Sequence, residues 1–411
     1  MAEKKDPFHV LIIGSGMVVI LVTLRPAIND DLYYVEQEGI SYAIYESEPS
    51  ATTYRPREWG MSVQWGLPML ADCLPKELFD RIYTAAVDPN FEPPDPGILP
   101  TYNGETGELM KNIPLLRMYR VSRRRFRKLC SEGIDVQYNK TFTEVTYDDD
   151  NSTVTAVFQD GSQATGNLLI GADGVKSKVR ESIFGEEGQA LSVPYSAVNL
   201  HVCYNDADKA RFVRQGHPIM TMGMHPNGYW QWISIQEVPD PDNPATWVFQ
   251  LQTTWHRKEG EQVDSLANLK AKAETMGEPF RSANLWIPEG TKVYSNNLSY
   301  WIPRPWDTHK GRVLLAGDAA HPMTFQRGQG LNHGIADSRS LVLKYKNAQE
   351  GKTSYEEAAE AYQAEMVDRA GEEVRLSKEN TEMLHDWERM ANSPIMQRGG
   401  HPREQQQSSK P

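Results

Sequence analysis

The fold is decided by residues 311–341, which read GRVLLAGDAAHPMTFQRGQGLNHGIADSRSL. The apolar run at 313–316 is typical of a buried strand. Gly317-Asp318 follows the end of this strand, and residues 328–332, Gly-Gln-Gly-Leu-Asn, lead into a helix predicted to end near Leu343. The strand therefore delivers a carboxylate beside a glycine-rich helix start, whose partial positive charge attracts anions. This arrangement suits a ligand that carries hydroxyl groups and a delocalised anion.

With His321-Pro322 between its two halves, the stretch resembles the second FAD motif of the aromatic-hydroxylase flavoprotein monooxygenases. The resemblance implies that Asp318 holds the ribityl chain of FAD. It also implies that the helix start faces the N1/O2 edge of the isoalloxazine ring, through Gly328, Gly330, Leu331 and Asn332. The family often has proline where this chain has Phe325. For Gly-Asp alone, an ordinary loop is the alternative interpretation.

The N-terminal part resembles the dinucleotide fingerprint G-x-G-x-x-G. The apolar run at 9–13 predicts a strand, and Gly14 and Gly16 follow it. A second predicted strand at 41–45 ends at Glu46. The resemblance implies that the glycines approach the pyrophosphate and that the Glu46 carboxylate accepts the ribose hydroxyls of the adenosine.

Two features of this first motif depart from the family pattern. Val19 stands where the third glycine is expected, and Glu46 follows Gly14 by 32 residues, whereas about 20 are expected. The excess lies in residues 19–35, where Pro26 interrupts the helix. We interpret this segment as an insertion or an unspliced stretch. Replacing it with a short glycine-containing helix is therefore predicted to raise FAD occupancy.

The central motif, Asp-Gly-x-x-Ser-x-x-Arg, consists of Asp173-Gly174, Ser177 and Arg180. It follows an apolar run at 168–170, so an acid and a tight turn again stand between a strand and a helix. It looks like the family's motif that serves both the FAD pyrophosphate and NAD(P)H. The resemblance therefore assigns Asp173 and Gly174 to cofactor binding.

A basic helix, RRRFRKLC, is predicted to begin at Arg123 with Ser122 as its N-cap. A nucleic-acid patch is one interpretation of five basic residues, but the acidic character of the whole chain opposes it. The resemblance implies instead that Arg123 touches the FAD phosphates. The other arginines of this helix are interpreted as a solvated face.

The sequence does not single out a catalytic base. Arg57 stands in a loop that the resemblance places near the flavin or its pyrophosphate, and His321 stands beside the second flavin motif. These two are the catalytic candidates of the sequence, within a wider set that also holds Tyr119 and His225.

Alternating segments at 197–202, 229–235 and 247–252 predict antiparallel strands. The predicted fold is α/β, with a Rossmann-like FAD-binding domain of the para-hydroxybenzoate-hydroxylase type, an antiparallel β-sheet substrate domain and C-terminal helices. We place the discontinuous FAD-binding domain at 8–185 and 290–345, the substrate domain at 186–289 and the C-terminal helices at 346–395. Residues 396–411 are rich in Gly, Gln and Ser and are predicted to be disordered.

The composition excludes several classes of protein. The 411 residues carry a net charge of −12, which opposes a nucleic-acid partner. The longest apolar run near the N-terminus, residues 17–22, is far too short for stable membrane insertion, and no signal peptide is recognisable. Three widely separated cysteines indicate reduced thiols, a cytoplasmic location and no metal site.

The resemblance implies an FAD-dependent monooxygenase of the fungal secondary-metabolism type. NAD(P)H would reduce the flavin, O2 would form a flavin C4a-hydroperoxide, and a small aromatic, polyketide, terpenoid or indole substrate would be hydroxylated or epoxidised. Two alternatives remain open. Residues 230–232, Trp-Gln-Trp, partly resemble the halogenase signature Trp-x-Trp-x-Ile-Pro, but Ser234-Ile235 replaces Ile-Pro. The altered first motif could also leave an inactive fold with impaired FAD binding.

Overall fold

The computed structural model describes residues 8–16, 40–52, 58–148, 150 and 152–399. The proposed insertion at 19–35, the catalytic candidate Arg57 and residues 400–411 of the predicted tail lie outside the described residues.

The described strands are β1 Phe8–Ile13, β2 Ile40–Tyr45, β3 Gly60–Val63, β4 Gly97–Asn103, β5 Leu109–Leu115, β6 Tyr119–Ser122, β7 Phe142–Tyr147, β8 Val154–Phe158, β9 Gln163–Gly166, β10 Leu168–Gly171, β11 Leu191–Cys203, β12 Met220–His225, β13 Tyr229–Glu237, β14 Val248–His256, β15 Tyr294–Tyr300 and β16 Val313–Leu315. The described α-helices are α1 Leu67–Cys73, α2 Lys76–Phe79, α3 Arg123–Cys130, α4 Lys178–Phe184, α5 Ala207–Arg214, α6 Leu266–Ala273, α7 Phe280–Leu285, α8 Gly330–Gln349, α9 Tyr355–Leu384 and α10 Pro394–Arg398.

A four-stranded parallel sheet carries the three predicted cofactor motifs. Its strand order is β16-β10-β1-β2, and every neighbouring pair is parallel. The carboxyl ends of parallel strands lie at the same edge of a sheet, where ligands of open α/β sheets bind. Gly14, Glu46, Asp173 and Asp318 follow these four strands, so the sheet brings the motifs to one edge.

The second sheet has seven strands in the order β15-β11-β14-β13-β12-β4-β5. It extends beyond the predicted substrate domain, because the hairpin β4–β5 and strand β15 come from outside residues 186–289. The sheet is antiparallel except that β4 pairs with β12 in the parallel sense, with Thr101 opposite Met222. The hairpin comes from the part of the chain predicted to bind FAD. The prolines that precede it obscure the alternation of residues by which a strand is recognised in a sequence.

The two faces of the second sheet have different neighbours. On one face lie α6 and α7, where a Cβ added to Gly223 would come within 2.7 Å of the Phe280 ring. Side chains alternate between the faces of a strand, so Trp230, Trp232 and Ser234 share the other face with Gln250, which lies opposite Ser234. Gln250 accepts a hydrogen bond from the Gly60 N–H at 3.1 Å, so this face turns towards the FAD-binding part.

Helices α8 and α9 complete the part of the fold predicted to bind FAD, and they confirm the predicted helices near the C-terminus. Helix α9 begins with a capping box formed by Ser354 and Glu357. Its Tyr362 hydroxyl donates to the Leu315 carbonyl at 2.8 Å, so α9 packs behind β16. Helix α10 reaches into the segment predicted to be disordered, up to Arg398. Among the described helices, none combines the length and apolar character needed to cross a bilayer.

Candidate cofactor-binding site

The turn after β1 requires a glycine at its first position. Gly14 has φ +103°, and a Cβ there would lie 2.5 Å from the Ala172 carbonyl oxygen. Its N–H donates to the Tyr45 carbonyl at 2.7 Å. A Cβ at Gly16 would lie 3.8 Å from the same Ala172 oxygen, an ordinary contact. The close approach of β1 to β10 therefore requires a glycine at position 14 but not at position 16.

Glu46 is held at this edge as an ionised carboxylate. One of its oxygens accepts from the Ser15 N–H at 2.7 Å and the Ser15 hydroxyl at 2.8 Å. The other accepts from the Ser47 hydroxyl at 3.0 Å and the Glu48 N–H at 2.9 Å. Burial alone would raise the pKa of Glu46, but these hydrogen bonds outweigh it and lower the pKa. The two halves of the first motif thus meet despite the long segment between them.

Arg127 corrects one sequence interpretation. The sequence places it on a solvated face, yet it is buried, donating to the Ser15 hydroxyl at 2.5 Å and to the Glu48 carboxylate at 2.7 Å. Arg127 lies one helical turn after Arg123 and therefore on the same face of α3. This spacing in the sequence could have predicted that the two arginines point to the same side. Its guanidinium lies at the first glycine turn, where a cation suits a phosphate.

Helix α3 begins as predicted. The Ser122 side chain accepts from the Arg125 N–H, which confirms the N-cap. Arg123 is half-buried with its guanidinium 5.2 Å from the centroid of the Trp59 ring. It is close enough to Asp318 to lower the pKa of that carboxyl. The structure therefore brings Arg123 to the edge where the second flavin motif lies.

Asp173 accepts from the first turn of helix α4, whose N-cap residue is Ser177, with one oxygen, and its other oxygen has no partner among the described residues. Its Oδ2 accepts from the Lys178 N–H at 2.7 Å and the Val179 N–H at 3.2 Å. Its Oδ1 is buried and has no hydrogen-bond partner among the described residues. Burial raises the pKa of Asp173 in spite of these bonds. Gly174 follows with φ +82°, which turns the chain into the helix.

Arg180 joins the central motif to the second flavin motif. It is fully buried, and its guanidinium donates to the carbonyls of Gly188 at 2.6 Å, Ala319 at 2.7 Å and Val175 at 2.7 Å. Ala319 directly follows Asp318, so Arg180 fixes the turn that carries this aspartate. Its role is to position the site.

Replacing Asp173 by Ala should leave the Lys178 and Val179 N–H groups at the start of α4 without their acceptor, while the N-cap residue Ser177 keeps its bond to the Arg180 N–H. The melting temperature should fall, because losing an acceptor at a helix start costs about 0.5–2 kcal/mol. FAD binding should weaken as well, since the open Oδ1 lies at the cofactor edge.

The control is Asp206→Ala, because Asp206, the N-cap residue of α5, also accepts from two N–H groups of a first turn, those of Asp208 and Lys209. In thermal unfolding, FAD should raise the melting temperature of Asp173→Ala by less than it raises that of the parent, and it should raise that of Asp206→Ala as much as that of the parent. Equal shifts in both variants would limit Asp173 to its bonds with the first turn of α4.

Asp318 presents its side chain at the open edge of the sheet. The residue is exposed, yet it lies among enough protein that desolvation raises the pKa of its carboxyl, against the attraction of His321, Arg123 and Arg180. Its Oδ1 lies 3.7 Å from the position of a Cβ added to Gly330, the first residue of α8. The carboxylate and the helix start are therefore neighbours, as the sequence predicted.

Asn332 contributes to the site through its hydrogen bonds to the protein. Its buried Oδ1 accepts from the N–H groups of Gln64 at 2.9 Å and Gly66 at 3.1 Å. Its Nδ2 donates to the carbonyls of Ser62 at 3.0 Å and Gly328 at 3.2 Å. The amide group is therefore satisfied within the protein and holds the segment after β3 against the start of α8. Leu331 is half-buried beside it.

His321 is not placed to touch a substrate. It is completely buried, with its Nε2 atom 2.7 Å from the Asp337 carboxylate. We therefore do not retain it as a catalytic candidate. His225 is also buried, with Nε2 2.8 Å from the Thr275 carbonyl, on the face of the second sheet that α6 and α7 cover.

The chemistry of these groups fits FAD. An ionised acceptor at Glu46 and an exposed carboxylate at Asp318 suit ribose and ribityl hydroxyls. The guanidinium groups of Arg123 and Arg127 suit a pyrophosphate, and the buried, unsatisfied Oδ1 of Asp173 is a further acceptor at the same edge. Among the described residues, no cluster of His, Cys, Asp and Glu could hold a metal ion.

Comparison with known proteins identifies a family profile described as "FAD binding domain", which matches residues 119–377. Among curated proteins, the FAD-dependent monooxygenase phnB of Penicillium herquei is 40% identical over 397 residues, covering 95% of this chain and 94% of that protein. The FAD-dependent monooxygenase cctM of Talaromyces islandicus is 37% identical over 404 residues, covering 97% and 98%.

Solved structures share the fold at lower sequence identity. Klebsiella pneumoniae HpxO, complexed with FAD and uric acid, has a TM-score of 0.72 at 22% identity, covering 97% of this chain and 94% of that chain. CtdE, in complex with FAD and a substrate, has a TM-score of 0.73 at 16% identity, covering 97% and 96%. These matches agree with the α/β fold built from the two sheets.

Proposed function

Since the chain belongs to the FAD-binding-domain family of FAD-dependent monooxygenases, we propose that it uses NAD(P)H and O2 to hydroxylate or epoxidise an aromatic or otherwise unsaturated small molecule. The family match confirms the sequence-based recognition, the oxidoreductase class and FAD as the cofactor. For hydroxylation, the substrate, O2, NAD(P)H and a proton become the hydroxylated product, water and NAD(P)+.

The observation that carries the proposal is the meeting of Gly14, Glu46, Asp173 and Asp318 at one edge of the parallel sheet. The chemistry that FAD supplies when bound is acceptance of a hydride from NAD(P)H and activation of O2. The residues of this chain bind and orient the cofactor. Glu46 and Arg127 hold the adenosine end, and Asp318 holds the ribityl chain.

The second sheet is proposed to shield the reaction from water. The ring centroid of Trp230 lies 5.6 Å from that of Phe325. Phe325 belongs to the segment between Asp318 and α8. Trp232 stacks on Trp230 at 5.7 Å. Both tryptophans are buried, so an aromatic layer packs against the flavin segment and favours a dry site for a flat, apolar substrate. We propose a polyketide, terpenoid or indole metabolite, in keeping with the sequence resemblance to fungal enzymes.

The two alternatives are less well supported. The relatives are named monooxygenases, which does not favour a halogenase. An inactive fold would follow from a disrupted first motif. In this motif, however, Ser15 and Glu46 are joined by two hydrogen bonds.

The test is to purify the protein, measure flavin absorbance per mole of chain, and follow NADH and NADPH oxidation with a panel of phenols, indoles and terpenoids. We expect one FAD per chain and substrate-stimulated oxidation, with products heavier by one oxygen atom. Protein that remains colourless after incubation with FAD and removal of the unbound FAD would contradict the proposal. Halide incorporation in place of oxygen would instead favour the halogenase.

A further inference from the structure

The turn that leads into α8 carries polar side chains that are buried in the protein. It is a short 3₁₀ helix, Phe325–Arg327, and Gly328 follows it with φ +65°. Gln326 and Arg327 are buried, and so is Thr324 directly before the turn. Buried polar groups are normally hydrogen-bonded, and the partners of these three side chains lie on α9.

Glu373 on α9 forms a buried ion pair with Arg327. One carboxylate oxygen accepts from the Arg327 Nε at 2.6 Å, and the other accepts from Nη2 at 3.3 Å. The side chains of Arg327 and Glu373 are only 1% and 5% exposed. The remaining nitrogen, Nη1, donates to the Gly399 carbonyl at 3.3 Å. A pair with two parallel bonds fixes direction as well as distance, so Glu373 fixes the last residue of the turn.

Two further residues of α9 hold the first part of the turn. The Thr324 hydroxyl donates to the Ser377 carbonyl at 2.7 Å, and the Thr381 hydroxyl donates to the Gln326 side-chain oxygen at 2.9 Å. Successive residues of the set Glu373, Ser377 and Thr381 are four positions apart, so they lie on one face of α9. This face is a polar stripe in the interior, and each of its members serves the turn.

Helix α9 is itself fixed on both sides of the polar stripe. Four residues before Glu373, Arg369 donates to the Asp337 carboxylate of α8 at 2.8 Å. At the end of α9, the Nε2 atom of His385 lies 2.7 Å from the Thr254 hydroxyl of β14. The helix is therefore a support, anchored to α8 and to the second sheet, against which the turn is held.

The start of α8 follows this turn directly. No side chain of the described residues caps α8, so the N–H groups of its first turn are open to a ligand with acceptor atoms. A helix of 20 residues also places partial positive charge at this end. The Asp318 Oδ1 lies 3.7 Å from the position of a Cβ added to Gly330, so the helix start belongs to the proposed FAD site. The ring of FAD gains negative charge on reduction, so these N–H groups should favour reduced FAD over oxidised FAD.

We propose that Glu373 is a positioning residue for FAD: through Arg327 it fixes the Phe325–Arg327 turn and so directs the N–H groups at the start of α8 towards the isoalloxazine ring. Its carboxylate is buried behind the turn and acts only through Arg327. A buried ion pair is weak evidence for a stabilising role, because apolar residues of similar volume often replace it without loss of stability. A positioning role gives a reason for a charged pair at this place.

The deciding variant replaces both partners, Arg327→Met together with Glu373→Leu, so that no buried charge is left unpaired. Its melting temperature without FAD should lie near that of the parent. Reduced FAD should lose about ten-fold more affinity than oxidised FAD, because a hydrogen bond to a charged group is roughly twice as strong as one between neutral groups. A ten-fold difference lowers the two-electron reduction potential of bound FAD by about 30 mV. Equilibration with a redox dye measures the potential, and titration of FAD-free protein measures the affinity.

Glu373→Asp is the conservative variant. It keeps a negative charge opposite Arg327 on a side chain that is one methylene shorter, so the potential should fall by less than in the double variant. The control is Arg214→Met together with Asp88→Leu. This change removes another largely buried ion pair, where α5 packs beside α7, and should leave the FAD affinity and the potential unchanged.

A folded double variant that keeps the parent's FAD affinity and reduction potential would limit the pair to stability and overturn the inference. A control variant whose potential falls as far would overturn it as well. If the double variant does not fold, Glu373→Asp decides, and the parent's potential in that variant contradicts the role of Glu373. Because these measurements need no substrate, a parent that binds FAD and oxygenates nothing would refute the proposed function alone.

Discussion

Asp318→Ala is expected to lose FAD on purification, with affinity reduced about ten- to a hundred-fold, since a charged hydrogen bond contributes roughly 1.5–3 kcal/mol. The side chain is exposed at the sheet edge beside Gly330, so the substitution removes an acceptor without opening a cavity in the core. Flavin absorbance per mole of chain and titration of the FAD-free protein with FAD measure the effect.

Asp318→Asn separates binding from stability. Because desolvation raises the pKa of Asp318, the carboxylate is less stable in the folded protein than in the unfolded chain. The charge therefore destabilises the FAD-free fold at neutral pH, and this cost is relieved as pH falls through the raised pKa. We expect Asp318→Asn to raise the unfolding free energy of FAD-free protein at pH 7 while weakening FAD binding, and to lose its stability advantage in acid.

Asp307→Ala is the control for both variants. Asp307 is exposed on the segment before β16 and accepts only from the His309 N–H in the described structure, at 2.7 Å. It should bind FAD like the parent. Equal FAD affinity in Asp318→Ala and Asp307→Ala would contradict the role of Asp318.

The parallel sheet was predictable because each of its motifs is local. An apolar strand followed within three residues by an acid can be recognised without any distant partner, as at Tyr45-Glu46, Gly171 to Asp173 and Leu315 to Asp318. Strand ends of one parallel sheet then meet by geometry alone. For this reason the sequence by itself predicts that Glu46, Asp173 and Asp318 lie at a common edge.

The residues that sequence reasoning missed depend on distant partners. Arg120, in strand β6, donates to Gln250, which is 130 residues away, and no local pattern marks this arginine as buried. Arg127 likewise meets Ser15 across 112 residues. The hairpin β4–β5 joins a sheet whose other strands lie after residue 190. Such pairings follow from tertiary packing, which composition and periodicity do not encode locally.

His321 is the reverse case: the sequence made it a catalytic candidate because it stands beside a motif, and the structure buries it. The structure turns it inward onto Asp337, a buried carboxylate on α8. Asp337 also accepts from the Gly317 N–H at 2.7 Å and from Arg369 on α9 at 2.8 Å. Burial alone would raise the pKa of Asp337, but the nearby His321 and Arg369 hold it well below its usual range. This carboxylate therefore joins the flavin turn to both C-terminal helices.

Asp337→Ala should consequently be severely destabilising, by about 3–5 kcal/mol, because removing one partner of a buried ion pair leaves the other uncompensated. Urea unfolding of the FAD-free protein at pH 7 measures this. Since the pKa is lowered in the folded protein, the stabilisation is fully present above the unfolded value of about 3.9 and is lost as pH falls below it. The difference between parent and variant should therefore shrink in acid.

The control for Asp337→Ala is Asp368→Ala, which removes an exposed carboxylate next to Arg369 in sequence on α9. It should change the unfolding free energy by no more than about 0.5 kcal/mol. Because the Gly317 N–H loses its acceptor in Asp337→Ala, the turn that carries Asp318 loosens, and FAD affinity should fall even under conditions where the variant is fully folded. A variant as stable as Asp368→Ala that binds FAD like the parent would show that Asp337 is not needed to hold this turn.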